Sequence, residues 1–384
     1  EAARIAAEEE AKRAEEAVDP SIPEDGTNPE DPANPGPGDG TETPGDSTNP
    51  EDPANPGTAA TLGYKVITLY PDENGLPDIE ALKAAVSEHT AALMITNPED
   101  TGIYNDRIRQ FVDIVHEAGG LCVYDQANLN GVFGLTRARD AGFDMCHYNL
   151  HKSFSSPHGC QGPGAGAQCV SKELAGYVAA PVVEFDGTRY YLDHQMPDSI
   201  GKLRSFYGVP SVMIRAYAYI RSLGADGMRQ IAELSILNNN YLISRLLKIR
   251  GLTMPFAEGR FRMEQARLSW QELTEETGVT TDDICRRIVD YGFQDYFTSH
   301  HPRVLPEPFT PEPVETYSKD DMDEYVAAFE AISQEAYTDP ELVKGAPYKA
   351  ALGARIEEEC LTDWSRFATT WRAYKRMEGE EILC

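Results

Sequence analysis

Residues 91–125, AALMITNPEDTGIYNDRIRQFVDIVHEAGGLCVYD, contain an apolar run, an amphipathic stretch and a second apolar run in succession. AALMITNP (91–98) and GLCVYD (120–125) are typical of buried strands. DRIRQFVDIVHEA (106–118) predicts a helix with one apolar face, formed by Ile108, Phe111, Val112 and Val115. Two buried strands joined by a helix indicate a parallel sheet, and we expect helices to cover both of its faces.

The flanking sequence extends this α/β pattern in both directions. YKVITLY (64–70) and FDMCHYNL (143–150) predict further strands, and IEALKAAVSE (79–88) predicts a helix. Long helical patterns follow over residues 211–222 and 226–249. Past residue 252, the chain reads as a smaller α+β domain that includes TDDICRRIVDYG and KDDMDEYVAAFEAISQEA. We therefore divide the chain into three parts: an acidic low-complexity segment (1–57), a large α/β domain (58–250) and a small C-terminal α+β domain (251–384).

The acidity of the chain is concentrated at its start. The net charge is -29, and residues 1–60 hold 16 acidic residues against three Lys/Arg. The repeat TNPEDPANPG occurs at 27–36 and again at 48–57. A segment with so few apolar side chains to bury is expected to be an extended linker. The excess of negative charge argues against nucleic acid as a partner, because phosphate binding requires a surplus of Lys and Arg.

Cysteine usage and hydropathy indicate the compartment. Seven scattered cysteines without a CxxC pair suit reduced thiols in the cytoplasm better than a disulfide framework. There is no apolar run long enough to span a membrane, and the start of the chain lacks the apolar core of a secretion signal. The chain begins with Glu1 rather than Met, so we expect it to be a fragment of a longer protein.

The stretch HYNLHKSFSSPHGCQGPG (147–164) surrounds Lys152 with three of the eight histidines of the chain. Asp125 closes one predicted strand and Lys152 follows another, 27 residues later. A carboxylate and a lysine at the ends of two core strands fit a pyridoxal phosphate site, in which the acid pairs with the pyridinium nitrogen and the lysine forms a Schiff base. The alternatives are an Asp that stabilises its own loop and a metal cluster of the nearby histidines and cysteines. The metal alternative is disfavoured, because no ligand pair has zinc-motif spacing and Lys152 would place a positive charge beside the ion.

Several long stretches resemble one enzyme family. YNLHKSFSSPHG, YDQANLNGVFG and AALMITNPEDTGIY are similar to glycine decarboxylase, the P protein of the glycine cleavage system, and specifically to its second, cofactor-bearing subunit. RSFYGVPSVMIRAYAYIRSLGADGMRQIAELSILNNNYL (204–242) and LVKGAPYKA (342–350) continue the likeness. The resemblance covers about residues 58–375. It implies a fold type I pyridoxal phosphate enzyme, with a mostly parallel sheet in the large domain and a small α+β domain after it.

The resemblance also implies roles for individual residues. Lys152 would bind pyridoxal 5'-phosphate covalently, and Asp125 would pair with its ring nitrogen. The remaining cofactor contacts would come from Thr96, Asn97, Ala127, Asn128, Asn149 and His151. The family reaction removes carbon dioxide from glycine and transfers the aminomethyl group to the lipoyl arm of the H protein, with a homologous first subunit as partner. His158 and the glycine-rich run after it would line the route of the lipoyl arm.

Some positions depart from the family pattern. Gln126 stands where the family has a small residue, Cys160 and Gln161 stand where it has glycines, and Met263 replaces a histidine. The resemblance further implies that the front of the large domain is missing or replaced by low-complexity sequence. Two alternatives therefore stay open: another fold type I enzyme, such as a cysteine desulfurase or an aminotransferase, and an inactive remnant that acts as a binding subunit.

Overall fold

The computed structural model describes residues 54–156, 164–203, 205, 207–300 and 303–349. The first copy of the acidic repeat, most of the second and the C-terminal residues 350–384 lie outside these ranges. So do His158, Cys160 and Gln161. Among the described residues, no helix is long and apolar enough to cross a membrane.

A four-stranded sheet forms the centre of the N-terminal half. Its strands are β1 (Ala92–Thr96), β2 (Leu121–Gln126), β3 (Met145–Asn149) and β4 (Gly166–Val170), and they lie side by side in chain order. The first three are parallel, as the alternation of strands and helices predicted, and β4 is antiparallel to β3. Asp125 lies directly between Thr96 of β1 and His147 of β3 in this register.

One face of the sheet carries the core. Every second residue of β1 and β2 is buried, and the amphipathic helix packs against this face. Helix α1 spans Ala54–Thr61, α2 spans Ile79–Ala85 and α3 spans Ile108–Glu117. On α3, the predicted apolar residues Phe111, Val112 and Val115 are fully buried. Burial of each such side chain stabilises the folded state by roughly 1.5–3 kcal/mol.

A small polar cluster ties the end of α3 to the sheet. Asp144 accepts hydrogen bonds from the backbone N–H of Cys122 at 2.7 Å and from His116 Nε2 at 2.8 Å. The carboxylate thus holds the start of β2 against the last turn of the helix. These two bonds explain why His116, Cys122 and Asp144 lie close together, although their side chains are of the types that bind metal ions.

The predicted strand at 64–70 is wrong. These residues form no regular element, and Tyr64, Ile67 and Tyr70 are each more than half exposed. A strand requires a neighbour for its backbone groups, and no described strand lies beside this segment. The helical cover that we expected on the second face of the sheet is also not observed in the described ranges, where Met94 and Leu121 remain exposed.

A two-stranded sheet and a long helix follow. Strands β5 (Val182–Phe185) and β6 (Tyr190–Asp193) pair as an antiparallel hairpin after a 3₁₀ turn at Lys172–Tyr177. Helix α4 spans Pro210–Leu246 and is interrupted at Gly224, whose φ of 65° is not helical. The two predicted helices of this region are therefore present, and glycine supplies the break between them because it adopts positive φ without strain.

The C-terminal part has its own core. Helices α5 (Gln271–Thr277), α6 (Thr281–Asp290), α7 (Lys319–Thr338) and α8 (Pro340–Lys344) surround a short pair of strands, β7 (Leu268–Ser269) and β8 (Pro308–Phe309). The fully buried rings of Trp270, Phe309 and Phe329 lie at its centre. This mixture of helices and short strands matches the α+β composition predicted here, and the domain boundary at residue 250 stays a prediction.

Candidate functional site

The carboxyl ends of the parallel strands β1, β2 and β3 lie along one edge of the sheet, where α/β proteins place their ligands. Thr96 ends β1, Asp125 is the penultimate residue of β2, and Lys152 follows β3 by three residues. Asp125 is half-buried, and the Lys152 side chain is exposed to solvent. The sheet therefore brings the predicted acid and lysine to neighbouring strand ends.

The loop after β2 is held by side-chain hydrogen bonds. Asp125 Oδ1 accepts the backbone N–H of Ala127 at 2.9 Å, and Asn128 Oδ1 accepts that of Asn130 at 3.1 Å. Both are Asx turns, in which a side chain replaces a backbone acceptor two residues away. They fix the path of the chain past Ala127, whose small side chain stands between the two polar residues.

Ser153 connects this loop to the segment that carries Lys152. Its Oγ donates to Asn128 Oδ1 at 3.0 Å and accepts the backbone N–H of Leu129 at 2.7 Å. The residue is 4% exposed, so these bonds are shielded from water. The backbone N–H of Lys152 itself donates a hydrogen bond to the carbonyl oxygen of Asn149, at 3.2 Å. The backbone of Lys152 is thus fixed while its side chain remains accessible.

Two of the three histidines of the motif, His147 and His151, lie beside β4 and the residues that precede it. His151 Nδ1 lies 3.1 Å from both the N and the O of Ala165, and His147 Nε2 lies 2.6 Å from Asn149 Oδ1. A Cβ on Gly164 would come within 2.7 Å of the His151 ring, and one on Gly166 within 2.6 Å of the His147 ring. In the described part of the glycine-rich run, the absence of a side chain therefore permits close approach of these rings.

Asn97 has a different environment from the other predicted site residues. It is 2% exposed, and its side chain bonds the backbone of Asn105 in both directions, at 2.8 and 3.1 Å. Its carbonyl oxygen accepts a hydrogen bond from the buried Tyr124 hydroxyl. The Asn97 side chain thus stabilises the loop after β1. The predicted contact between Asn97 and the cofactor stays a prediction.

Glu312, which the sequence did not single out, reaches the site from the C-terminal domain. Asn128 Nδ2 donates a hydrogen bond to its Oε1 atom, across 184 residues of chain. The carboxyl is accessible to solvent but enclosed by protein on most sides, and this loss of surrounding water raises the pKa of Glu312, while the nearby Lys152 acts to lower that pKa. Neighbouring contacts strengthen the connection, since Asn130 and Tyr219 both bond Glu315 at 3.2 Å.

An acidic loop borders the site on the β1 side. Burial, together with the charges of Asp100 and Asp125, raises the pKa of Glu99 to about 8. Asp100 is paired with the buried Arg267 and with His300 Nδ1, 2.7 Å away. These residues line part of a cavity of about 190 Å³. The candidate site therefore combines a lysine, amide groups and several carboxyls drawn from both halves of the described chain.

Comparison with known proteins identifies the relatives of this chain. Residues 231–345 match the family model described as glycine dehydrogenase, C-terminal domain. A probable glycine dehydrogenase (decarboxylating) subunit 2 of Pyrococcus abyssi is 44% identical over 323 residues, 84% of this chain and 63% of that protein. The chain is a relative of glycine dehydrogenase subunit 2. The resemblance inferred from the motifs around Lys152 is thereby confirmed.

A second relative gives the same result, and solved structures show the fold. The protein of the same name from Thioalkalivibrio sulfidiphilus is 44% identical over 76% of this chain and 58% of its own length. The crystal structure of glycine decarboxylase (P-protein) in inhibitor-bound form superposes with a TM-score of 0.59 at 20% identity, covering 71% of this chain and 61% of that one. A cysteine desulfurase from Escherichia coli superposes with a TM-score of 0.54 at 18% identity, over 72% of this chain and 67% of its own. The fold type I class is confirmed, and the chain spans less than two thirds of the length of the glycine dehydrogenase relatives cited above.

Proposed function

We propose that this chain is the cofactor-bearing part of a glycine dehydrogenase (decarboxylating) second subunit. It would remove carbon dioxide from glycine and pass the aminomethyl group to the lipoyl arm of the H protein, in a complex with the first subunit. The observation that carries the proposal is the placement of Asp125 and Lys152 at the ends of adjacent parallel strands, linked through Asn128 and Ser153. The 44% identity to proteins named subunit 2 supports this choice over the cysteine desulfurase and aminotransferase alternatives.

The residues present fit pyridoxal 5'-phosphate. Lys152 offers an accessible amine on a fixed backbone, and the half-buried Asp125 offers a carboxylate on the next strand. Pyridoxal phosphate, when bound, supplies an electron sink for the pair of electrons released by decarboxylation.

Each protein group then has a definite task. Lys152 would hold the cofactor, and Asp125 would keep a proton on the ring nitrogen, which requires a carboxylate in a fixed orientation. The Ala127 N–H provides that orientation. Asn128 and Ser153 would hold the loop and the lysine segment at constant separation. Thr96, Asn97, Asn149 and His151 would complete the polar surroundings, and Glu312 would place a second carboxyl near the Lys152 amine.

Labelled bicarbonate exchange into the glycine carboxyl tests this function. The full chain would be purified with the first subunit and lipoylated H protein. We expect Lys152→Ala to abolish exchange and Asp125→Asn to lower it by roughly a hundredfold or more, since an interaction made with developing charge is lost. Lys83→Ala is the matched control, because Lys83 is an exposed lysine whose ion pair is with Glu80 on its own helix.

The outcomes separate the candidates. Exchange that requires glycine, H protein and Lys152 supports the proposed function. Cofactor binding at Lys152 without any glycine exchange would instead favour another fold type I activity. A complex with the first subunit that takes up no cofactor would leave only the role of a binding subunit.

A further inference from the structure

The hairpin of β5 and β6 stands out because its apolar side chains are exposed. Val183 faces Leu192 and Phe185 faces Tyr190 across the two strands. Val183, Phe185 and Tyr190 are 66%, 53% and 75% exposed. An isolated two-stranded sheet is marginally stable in water and gains stability when another surface packs against it. The side chains of this hairpin are therefore typical of a buried sheet, although nothing in the described part of the chain packs over them.

The first half of α4 has the same property. Its inner face packs into the protein through Val212, Ala216, Tyr219 and Leu223. Its outer face carries a second apolar stripe at helical spacing, Met213, Ile214, Tyr217 and Ile220, and Ile214 and Tyr217 are 68% and 65% exposed. A helix that is apolar on both faces is typically buried on both.

Residues 200–207 connect these two elements. The backbone N–H of Ala180 bonds Gly201 O at 3.1 Å, and the ring of His194, at the end of the hairpin, packs edge-on against that of Tyr207. Ile200, Leu203 and Tyr207 are all more than half exposed. We define the apolar face as the large apolar residues of this region that are more than half exposed: Val183, Phe185, Tyr190, Ile200, Leu203, Tyr207, Ile214 and Tyr217.

The size of the apolar face suits a stable protein interface. A fully exposed aromatic side chain presents roughly 150–250 Å² and an aliphatic one less, so four aromatic and four aliphatic side chains that are each more than half exposed offer on the order of 800 Å². That is about what one partner contributes to a stable complex. Exposed apolar patches on single soluble proteins are usually about 300–600 Å² at most. The summed exposed area of the apolar face thus exceeds that of an ordinary exposed patch.

The charge of this region is equally distinctive. Residues 182–217 contain four acidic residues and four Lys/Arg, whereas the whole chain carries a net charge of -29. A neutral, aromatic-rich surface is typical of the centre of an interface, where charged residues are depleted. Its neutrality also lets another protein approach an otherwise strongly acidic molecule without long-range repulsion.

We propose that the apolar face is the surface on which the first subunit of glycine dehydrogenase docks. This inference rests on the proposed function, because the relatives of the chain are named as the second subunit of a multi-subunit enzyme. The partner subunit would add a layer over the hairpin and cover the outer stripe of α4. It would bury Tyr190 and Ile214, the most exposed large apolar residues of the two elements.

Association with the first subunit tests the proposal. The full chain and two variants, Tyr190→Asp and Ile214→Asp, would be titrated with the purified first subunit and followed by light scattering on a sizing column. We expect each variant to weaken the complex by at least about a hundredfold, since a charge would be buried at the centre of the interface. Leu237→Asp is the matched control: Leu237 is 63% exposed and lies on the same helix beyond the break at Gly224.

Circular dichroism would verify that both variants keep the fold, which is expected because the replaced side chains are exposed. Wild-type affinity in both variants would overturn the proposal. So would a wild-type dimer of this chain that Tyr190→Asp dissociates, because a second copy would then occupy the face. If the wild-type chain binds no first subunit, the proposal fails as well, and covalent cofactor attachment at Lys152 then decides separately whether the proposed function survives.

Discussion

Replacing Glu264 by Gln is expected to make the stability of the protein less dependent on pH. Glu264 is 1% exposed, and its Oε2 atom receives no hydrogen bond from the described residues. Burial raises the pKa of this carboxyl from 4.5 to about 8, and the nearby carboxyls of Glu312 and Asp100 act in the same direction. The folded protein therefore binds a proton at neutral pH that the unfolded chain releases.

The sign and the size of the effect follow from that proton. A carboxyl with a raised pKa in the folded state contributes stability that is fully present below the unfolded pKa and is lost as pH rises through the folded pKa. Within that window, the free energy of unfolding falls by about 1.4 kcal/mol for each step of one in pH. Between about pH 4.5 and pH 7 the wild type loses about 3 kcal/mol from this group, and by pH 8 about 4 kcal/mol. Glu264→Gln has no proton to lose at this position.

Urea unfolding at pH 5, 7 and 8.5 measures the difference. The free energy of unfolding of Glu264→Gln minus that of the wild type is expected to grow by several kcal/mol across the series. Any constant cost of placing an amide in this buried position cancels in the comparison. Glu330→Gln, on the exposed face of α7, serves as the control. A difference that is the same at all three pH values would refute the assignment of a raised pKa to Glu264.

Three further substitutions test the packing and hydrogen bonding around the site. Gly131→Ala would place a Cβ 1.8 Å from Glu264 Oε2 and should destabilise the protein by about 1–3 kcal/mol in urea unfolding, whereas Gly176→Ala, which meets nothing within 4 Å, should not. Ser153→Ala removes the acceptor of the Leu129 N–H and should cost about 1–3 kcal/mol in thermal unfolding; Ser153→Thr retains the hydroxyl and should recover most of this loss. Arg287→Lys loses the paired hydrogen bonds to Glu335 that lower the pKa of that carboxyl. We therefore expect lower stability at pH 7, and a difference between variant and wild type that shrinks as the pH falls through the lowered pKa of Glu335.

The elements that sequence predicted well are those with a local pattern. Helix α3 repeats its apolar residues at helical spacing, and that spacing alone determines which face is buried. The break in α4 falls at Gly224, within a short run that contains two glycines. Strands β1, β2 and β3 were recognised because each is a short apolar run ended by a polar residue or a loop. All of these signals lie within a dozen residues.

The sequence-based predictions fail where secondary structure depends on contacts with residues that are distant in the sequence. Residues 64–70 have strand composition, yet they form no strand because no described strand provides a partner for their backbone. Strand β4 was missed because GAQCV has neither an apolar run nor a clear alternation. Pairing between strands depends on the tertiary structure, so it cannot be read from a short stretch of sequence.

The same distinction applies to the candidate site. Asp125 and Lys152 could be proposed from sequence because both follow recognisable strands of one parallel sheet. Glu312 could not, since it lies 184 residues from Asn128 and stands in a loop with no motif around it. The role of Ser153 as a link between Asn128 and Leu129 also depends on a contact across two loops.

Covalent attachment of pyridoxal 5'-phosphate tests the central claim most directly. The full chain, with the first subunit, would be incubated with the cofactor, reduced with borohydride, digested and examined by mass spectrometry. We predict one phosphopyridoxyl group, on the peptide that contains Lys152, and its loss in Lys152→Arg. A label on another lysine, or none at all on a correctly folded chain, would contradict the account.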